Sequence, residues 1–271
     1  VIFVCPDCKK PLEELFCRQC QARFSMTDGI PVLLSREAKF QDAAQIGDQY
    51  DVIYTKHSNV WNDQGRTPEF IEYFAGLLGT LATGKVLEVG CGEGFLLSAV
   101  RASEKSAIDI STEALRKARA RTNASFGVAL AERLPFADES FDLVFSVGVM
   151  EHFLDDREAA REIWRVLRRG GHCAMLLHVD LTSRQRLALK FSEYVFPSFR
   201  PVALVRWILG KITSPIIQPI QRRYTVESAR ACFEAGGLQV YKTISKSSDA
   251  SAALSGPHVF VFLCKKAAAQ R

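Results

Sequence analysis

Across its 271 residues the sequence has no uncharged apolar run approaching the roughly 20 residues that a membrane-spanning helix needs. Its opening residues, "VIFVCPDCKK", lack the basic-then-apolar layout of a signal peptide. Strong charge bias is missing too: a formal net charge of +5 does not mark a dedicated nucleic-acid binder. That charge is unevenly placed, however. Between Leu181 and Arg223, eight Lys and Arg residues face a single acid, Glu193, which leaves the remainder slightly acidic. Also absent is the dispersed cysteine framework of a secreted disulfide protein. Of eight cysteines, four are paired near the start, while Cys91, Cys173, Cys232 and Cys264 lie singly in apolar surroundings. Lone cysteines of this kind behave as small buried hydrophobes in a reducing compartment. The expected location is therefore cytoplasmic. A hydrophobic content of 48% supplies core enough for one large domain and a small one.

The paired cysteines read "CPDCKKPLEELFCRQC", a C-x2-C-x8-C-x2-C spacing that joins Cys5, Cys8, Cys17 and Cys20. Each C-x2-C pair can fold into a knuckle, and two facing knuckles supply the tetrahedral thiolate set that zinc prefers. Four cysteine ligands leave no open position, so the zinc is expected to be structural. A redox role for one pair is the competing reading, and two matched pairs favour the closed site. "ARFSMTDGIPVLL" then reads as strand, turn at Asp28-Gly29, strand. Residues 5–34 resemble the zinc ribbons that precede or partner certain methyltransferases. These include bacterial large-subunit ribosomal RNA guanine methyltransferases and the small activator subunit of several eukaryotic methyltransferases, whose ending "DGIPVLL" matches.

From Lys85 to Leu263 strand-like runs alternate with helical patterns, which implies right-handed crossovers and a parallel sheet covered on both faces. The expected fold class is α/β, a doubly wound Rossmann-like sheet of seven strands behind the small ribbon. In such sheets ligands bind at the carboxyl ends of the strands, where strand order reverses. "KVLEVGCGEGFL", residues 85–96, places its glycines there, letting the chain turn sharply and a ligand approach the backbone. The third glycine of a G-x-G-x-x-G dinucleotide fingerprint is missing, because Phe95 occupies its place.

The observed G-x-G-x-G, led by Glu88, resembles the first motif of class I S-adenosylmethionine-dependent methyltransferases. The likeness continues through "AIDIS", "AERLPFADESFD" (131–142), "VMEHF" (149–153) and "VLRRGG" (166–171), the features of the group that includes quinone and small-molecule enzymes. It implies that Gly90, Cys91 and Gly92, in the turn closed by Gly94, pass the methionine part of S-adenosyl-L-methionine. Asp109 and Ile110 would hold the ribose and flank the adenine, with Ala131 and Glu132 along the adenine edge. Ser146 would face the methionine or the acceptor. One departure stands out: the group commonly writes "GDAExLPF", whereas this chain reads "ALAERLPF", with Leu130 at the usual Asp position. Either Glu132 or a backbone amide then reads the adenine amine, or cofactor affinity is weakened. Tyr50 and Tyr54 sit where this group often folds a helix over the cofactor; an ordinary amphipathic helix is the other reading.

The sulfonium methyl is already activated, so a general base is needed only for a poorly ionised acceptor. His152 and His178 are the catalytic candidates, with local ordering of the loop the favoured role for His152. No Asn/Asp-Pro-Pro-Tyr/Phe follows the fourth strand, which counts against methylation of exocyclic base amines or glutamine amides. Residues 181–223 form a basic insertion in which Phe191, Tyr194, Phe196, Phe199 and Trp207 alternate with Arg, Lys and aliphatic residues. Its readings are a lid over an apolar acceptor, an element resting on anionic membrane at the inner face, an RNA surface, or a packed helical pair. The excess of Ile, Leu and Val favours lid or membrane over RNA.

The expected organisation is a ribbon at 1–37, a helical lid segment at 38–82 and a methyltransferase domain at 83–271. The expected activity is methyl transfer to an apolar or amphipathic small molecule such as a lipid, quinone or secondary metabolite. A ribosomal or transfer RNA substrate and an inactive cofactor-binding scaffold are the alternatives.

Overall fold

The computed structural model describes residues 3–56, 67–81, 84–180, 220–245 and 259–266; the expectations for most of the insertion at 181–223 fall outside them. The Rossmann-like core opens on β5 (Lys85–Val89), a short apolar run that the glycine turn ends, followed by α3 (Phe95–Ala99). β6 (Glu104–Asp109), α4 (Thr112–Arg121) and β7 (Ser125–Val128) carry the chain outward on one side. β8 (Phe141–Val147), α5 (Asp156–Val166) and β9 (Leu167–His178) build the other side. α6 (Val226–Ala235), β10 (Leu238–Ser245) and β11 (Val259–Lys266) finish it. Helix starts follow the side chains that cap them: Ser111 accepts from the Ala114 amide, Asp155 from Glu158, and Thr225 and Ser228 form a reciprocal box.

β5 pairs in parallel with both β6 and β8, so strand order reverses beside β5, and β11 alone among these seven strands runs opposite to the other six. Successive residues face opposite layers. Leu87, Val144, Ile163 and Phe233 pack in the core under α5 and α6, whereas Val86, Phe145, Phe74 and Leu115 pack under α2 (Pro68–Gly79) and α4. Each fully buried Leu, Val or Phe contributes about 1.5–3 kcal/mol.

The sheet has nine strands rather than the expected seven. The ribbon consists of a small pair, β1 (Phe16–Cys17) with β2 (Ala22–Arg23), and a hairpin of β3 (Ser25–Thr27) and β4 (Ile30–Val32). Asp28 and Gly29 both have positive φ, 51° and 73°, as a two-residue hairpin turn requires. β4 continues the sheet beside β7 in parallel, Val32 opposite Val128, and the Leu33 amide donates to the Val128 carbonyl at 2.7 Å. Further contacts hold the ribbon to the segment after β7. The Val4 amide donates to Pro135 O, and the Phe3 and Phe136 rings lie 5.4 Å apart. Lys9 Nζ donates to Glu162 Oε2 at 2.7 Å and to the Pro6 carbonyl. Burial lowers the Lys9 pKa and Glu162 opposes that shift.

Candidate active site

A cleft opens at the carboxyl ends of β5, β6 and β8, where ligands bind in open parallel sheets. Its floor is set by the glycine turn. Gly90 has φ +70°, and a Cβ there would lie 2.4 Å from Val149 Cγ1, so no side chain fits. Asp109, ending β6, ties the turn in place. Its Oδ2 accepts from the Gly92 amide at 2.8 Å and its Oδ1 from the Ser111 amide at 3.0 Å. Asp109 also lines the cleft.

The roof is α1 (Ala43–Lys56), whose Ile46, Tyr50 and Tyr54 line the cleft. Three contacts seat it on the β6–α4 junction. Asp51 accepts from Ser111 Oγ and from the Glu113 amide, and Lys117 Nζ donates to the Tyr54 carbonyl. Gly47 lets the helix approach closely, since a Cβ there would sit 2.8 Å from Ile110 O. The Tyr50 hydroxyl is buried with no hydrogen-bond partner among the described residues. Burial, aided by the Asp109 charge, raises its pKa well above the usual phenol value, so it stays a donor. A buried hydroxyl without a partner beside a carboxylate fits a site for a polyhydroxylated ligand. Replacing Gly47 with Val is expected to lift α1 off Ile110 and weaken S-adenosylhomocysteine binding about tenfold. Calorimetry beside a thermal melt checks that the loss is in the ligand and not in the fold.

At the far end, Leu130, Ala131 and Glu132 also line the cleft. Leu130 packs with Phe40 and Ala43, and Ile110 closes against them. Glu132 is buried, and its Oε1 accepts from the Asp155 amide at 3.0 Å, at the start of α5. Burial raises the Glu132 pKa despite those amide bonds.

The acceptor side carries the two histidines. His152 lines the cleft, and its Nδ1 lies 2.6 Å from the Ile220 carbonyl oxygen. A carbonyl only accepts, so Nδ1 carries the proton and Nε2 of the neutral ring is left as the acceptor. The ring is tied to a residue 68 positions away, whereas the expectation was a local hydrogen bond. His178 stands at the rim, its Cε1 3.6 Å from where a Gly148 Cβ would be, and Gly148 lines the cleft. Glu151 Oε1 accepts from the His178 amide at 2.7 Å and from its Nδ1 at 3.2 Å. Burial pushes the Glu151 pKa up, but these His178 bonds outweigh it and hold the carboxyl below its usual value.

Other residues singled out in the sequence stand behind the wall. Glu88, Cys91, Gly92, Gly94 and Ser146 are not among the cleft-lining residues. Gly94 serves helix packing, because a Cβ there would meet Ala118 Cβ at 2.9 Å. The Ser146 hydroxyl is buried in β8 with no partner among the described residues. Asp51 and Glu151 escaped the sequence reading. Asp51 gives no local signal because its partners lie 60 positions on, whereas Glu151 adjoins His152 in "MEHF".

In the ribbon, the sulfurs of Cys5, Cys8, Cys17 and Cys20 lie within 4.8 Å of one another, with Cys8–Cys17 at 3.4 Å and Cys5–Cys20 at 3.9 Å. Tetrahedral Zn–S bonds of about 2.3 Å put sulfurs roughly 3.8 Å apart, so the donor set fits a zinc ion. The knuckles match: Lys9 and Gln21, each following the second cysteine of a pair, have φ of 62° and 50°.

A glycine turn and strand-end aspartate at the reversal point of a parallel sheet, under a tyrosine-bearing helix, define a nucleoside-binding site of the methyltransferase kind. The Methyltransferase domain family matches residues 87–175. The chain is 32% identical over 199 residues to the ubiquinone biosynthesis O-methyltransferase of Alkalilimnicola ehrlichii, covering 62% of this chain and 81% of that one. It is 36% identical over 101 residues to methyltransferase GfsG of Streptomyces halstedii, 34% of this chain and 36% of that one, so it spans about a third of that relative's length. A structure of the complex between the Haloferax volcanii Trm112 methyltransferase activator and a methyltransferase superposes with a TM-score of 0.61. The identity is 18% and the match covers 83% of this chain and 99% of that one, which shows the fold. The chain belongs to the class I S-adenosylmethionine-dependent methyltransferases.

Proposed function

We propose that the protein transfers the methyl group of S-adenosylmethionine to a hydroxyl of an apolar or amphipathic small molecule, such as a quinone precursor, lipid or secondary metabolite. One observation carries this reading: the cleft that Asp109 and Tyr50 line is also lined by the apolar Val149, Phe153 and Ile220 and by His152, with His178 beside Gly148 at its rim. The similarity to an enzyme named as an O-methyltransferase of ubiquinone biosynthesis supports the choice of acceptor class.

When bound, the cofactor supplies an activated sulfonium methyl. Asp109, at the end of β6 in the lining of the cleft, accepts the ribose hydroxyls, and Tyr50 donates beside it. α1 covers the site and excludes water. Glu151 positions His178, and the ring's Nε2 takes the acceptor's proton as its oxygen attacks; His152 Nε2 is the second proton acceptor within the mouth. Cys5, Cys8, Cys17 and Cys20 hold one structural zinc.

No helix among the described residues is long and apolar enough to cross a membrane. Peripheral contact with anionic lipid through residues 181–223 is part of the proposal, and Arg223, whose side chain is 81% exposed, is the described residue suited to probe it. Arg222 is not, since its guanidinium donates to the Phe153 and Leu154 carbonyls.

The test is methyl transfer from labelled S-adenosylmethionine to matched panels of hydroxylated quinone precursors, lipids and RNA. The expected result is one methyl group on a small-molecule hydroxyl, with turnover reduced about 100-fold or more in His178→Gln and substrate affinity retained. Labelled RNA with steep salt dependence, and no labelled small molecule, would replace this reading.

A further inference from the structure

We infer that Asp7, inside the Cys5–Cys8 knuckle, is a positioning residue for the cofactor site: through Ser35 it fixes the root of the roof helix α1, so that zinc in the ribbon and the nucleoside in the cleft strengthen each other's binding. The inference rests on the zinc and cofactor readings above and links them.

The roof is anchored at its root by the ribbon. From the end of β4 the chain reaches α1 through residues 33–42. Midway, the Asp7 carboxylate takes hold of it. Its Oδ1 accepts from Ser35 Oγ at 2.6 Å and its Oδ2 from the Arg36 amide at 3.4 Å. Ser35 is only 7% exposed, and its Oγ accepts in turn from the Glu37 amide at 3.2 Å. Residues 35–37 are thus held from one side chain of the knuckle, and an ionised acceptor makes such bonds stronger than a neutral one. The residues that follow carry this order to the cleft. Glu37 accepts two bonds from the Arg133 guanidinium, at 2.7 and 2.9 Å. Phe40 and Ala43 bury against Leu130, which lines the cleft, and Ile46, Tyr50 and Tyr54 of α1 come next.

The same knuckle also grips the chain that forms the cleft wall. Lys9, directly after Cys8, donates to Glu162 at 2.7 Å and to the Leu134 carbonyl at 3.4 Å. The Val4 amide, directly before Cys5, donates to Pro135 O. Leu134 and Pro135 follow closely on Ala129, Leu130, Ala131 and Glu132 in the cleft lining. Roof and wall therefore share one reference, the few residues around Cys5 and Cys8. A metal-held knuckle keeps that reference only while the metal is bound. Without it the nucleoside would have to order both parts itself, which weakens its binding. Linkage makes the effect equal in both directions: the factor by which zinc tightens the nucleoside is the factor by which the nucleoside tightens zinc.

The experiment uses the zinc-loaded full chain and reads S-adenosylhomocysteine affinity by calorimetry, zinc content by elemental analysis and zinc affinity by chelator competition. Asp7→Ala and Ser35→Ala are each expected to weaken S-adenosylhomocysteine about tenfold at full zinc content. The double variant is expected to be little weaker than either single one, because both remove the same contact. Asp7→Asn keeps an acceptor oxygen and is expected to recover affinity to within about threefold of the parent. Saturating S-adenosylhomocysteine is expected to tighten zinc about tenfold in the parent and less than about threefold in Asp7→Ala. Parent-like nucleoside affinity in both alanine variants, or a zinc affinity that the nucleoside leaves unchanged, would overturn the inference while both readings beneath it stand. Additive losses in the double variant, or no recovery in Asp7→Asn with a melt matching the parent, would overturn it as well. A zinc-loaded parent that binds no S-adenosylhomocysteine would overturn the cofactor reading and the inference with it.

Discussion

Replacing Asp109 with alanine is expected to reduce S-adenosylhomocysteine affinity by about 100-fold or more and to lower the melting temperature together with it. The first effect follows from the proposed ribose contact, since each hydrogen bond to an ionised acceptor is worth about 1.5–3 kcal/mol and two are at stake. The second follows from the protein alone. The same carboxylate accepts from the Gly92 and Ser111 amides, and its removal orphans both at the most tightly wound part of the site. Asp109→Asn separates the two effects: its carbonyl retains one amide partner while its amino group faces the other. Calorimetry and a thermal melt on both variants give the answer. Cofactor affinity within a few fold of the parent in Asp109→Ala would remove this residue from the binding site.

Cys17→Ser is expected to release zinc, leave residues 5–34 open to proteolysis and lower the melting temperature by about 10 °C. The ribbon's apolar cluster consists of Cys5, Cys17, Ala22, Phe24 and Leu33, which is too little to hold it without metal. Structural zinc supplies about 10–16 kcal/mol to small modules of this kind. The methyltransferase sheet loses in turn the backbone bonds at Val128 and Pro135 and the buried Lys9–Glu162 pair. A few kcal/mol at about 2–4 °C each gives the expected shift. Elemental analysis, limited proteolysis and a melt are the measurements. Unchanged zinc content and an unchanged digestion pattern would remove Cys17 from the ligand set; lost turnover with the ribbon folded would make the zinc more than structural.

The parts of this molecule that were legible in the sequence are those whose causes are local. α4 runs from Thr112 to Arg121 as its cap and period require, and β5 ends at the glycine turn because no residue with a Cβ fits at Gly90. Asp109 was legible because a strand-end acid at that distance from the turn belongs to the pattern. What stayed hidden depends on side chains that meet across the fold. Nothing near Asp51 foretells that it caps α4, and nothing near Glu132 foretells that its carboxylate is engaged by the start of α5. The partner of His152 stayed hidden because Ile220 lies 68 positions on, near the end of the basic insertion. The sheet grew from seven strands to nine for the same reason: the pairing of Val32 with Val128 joins residues 96 positions apart.

That pairing carries a consequence for the molecule as a particle among its copies. A parallel core ends in rims whose peptide groups invite any extended chain to stitch on, the usual route to rim-to-rim association. Here the ribbon's hairpin fills the β7 rim, and the last strand it presents, β3, is three residues long with a proline opposite its centre. The small N-terminal module thereby moves that rim of the sheet from β7 to three residues of β3, while β10 forms the opposite rim.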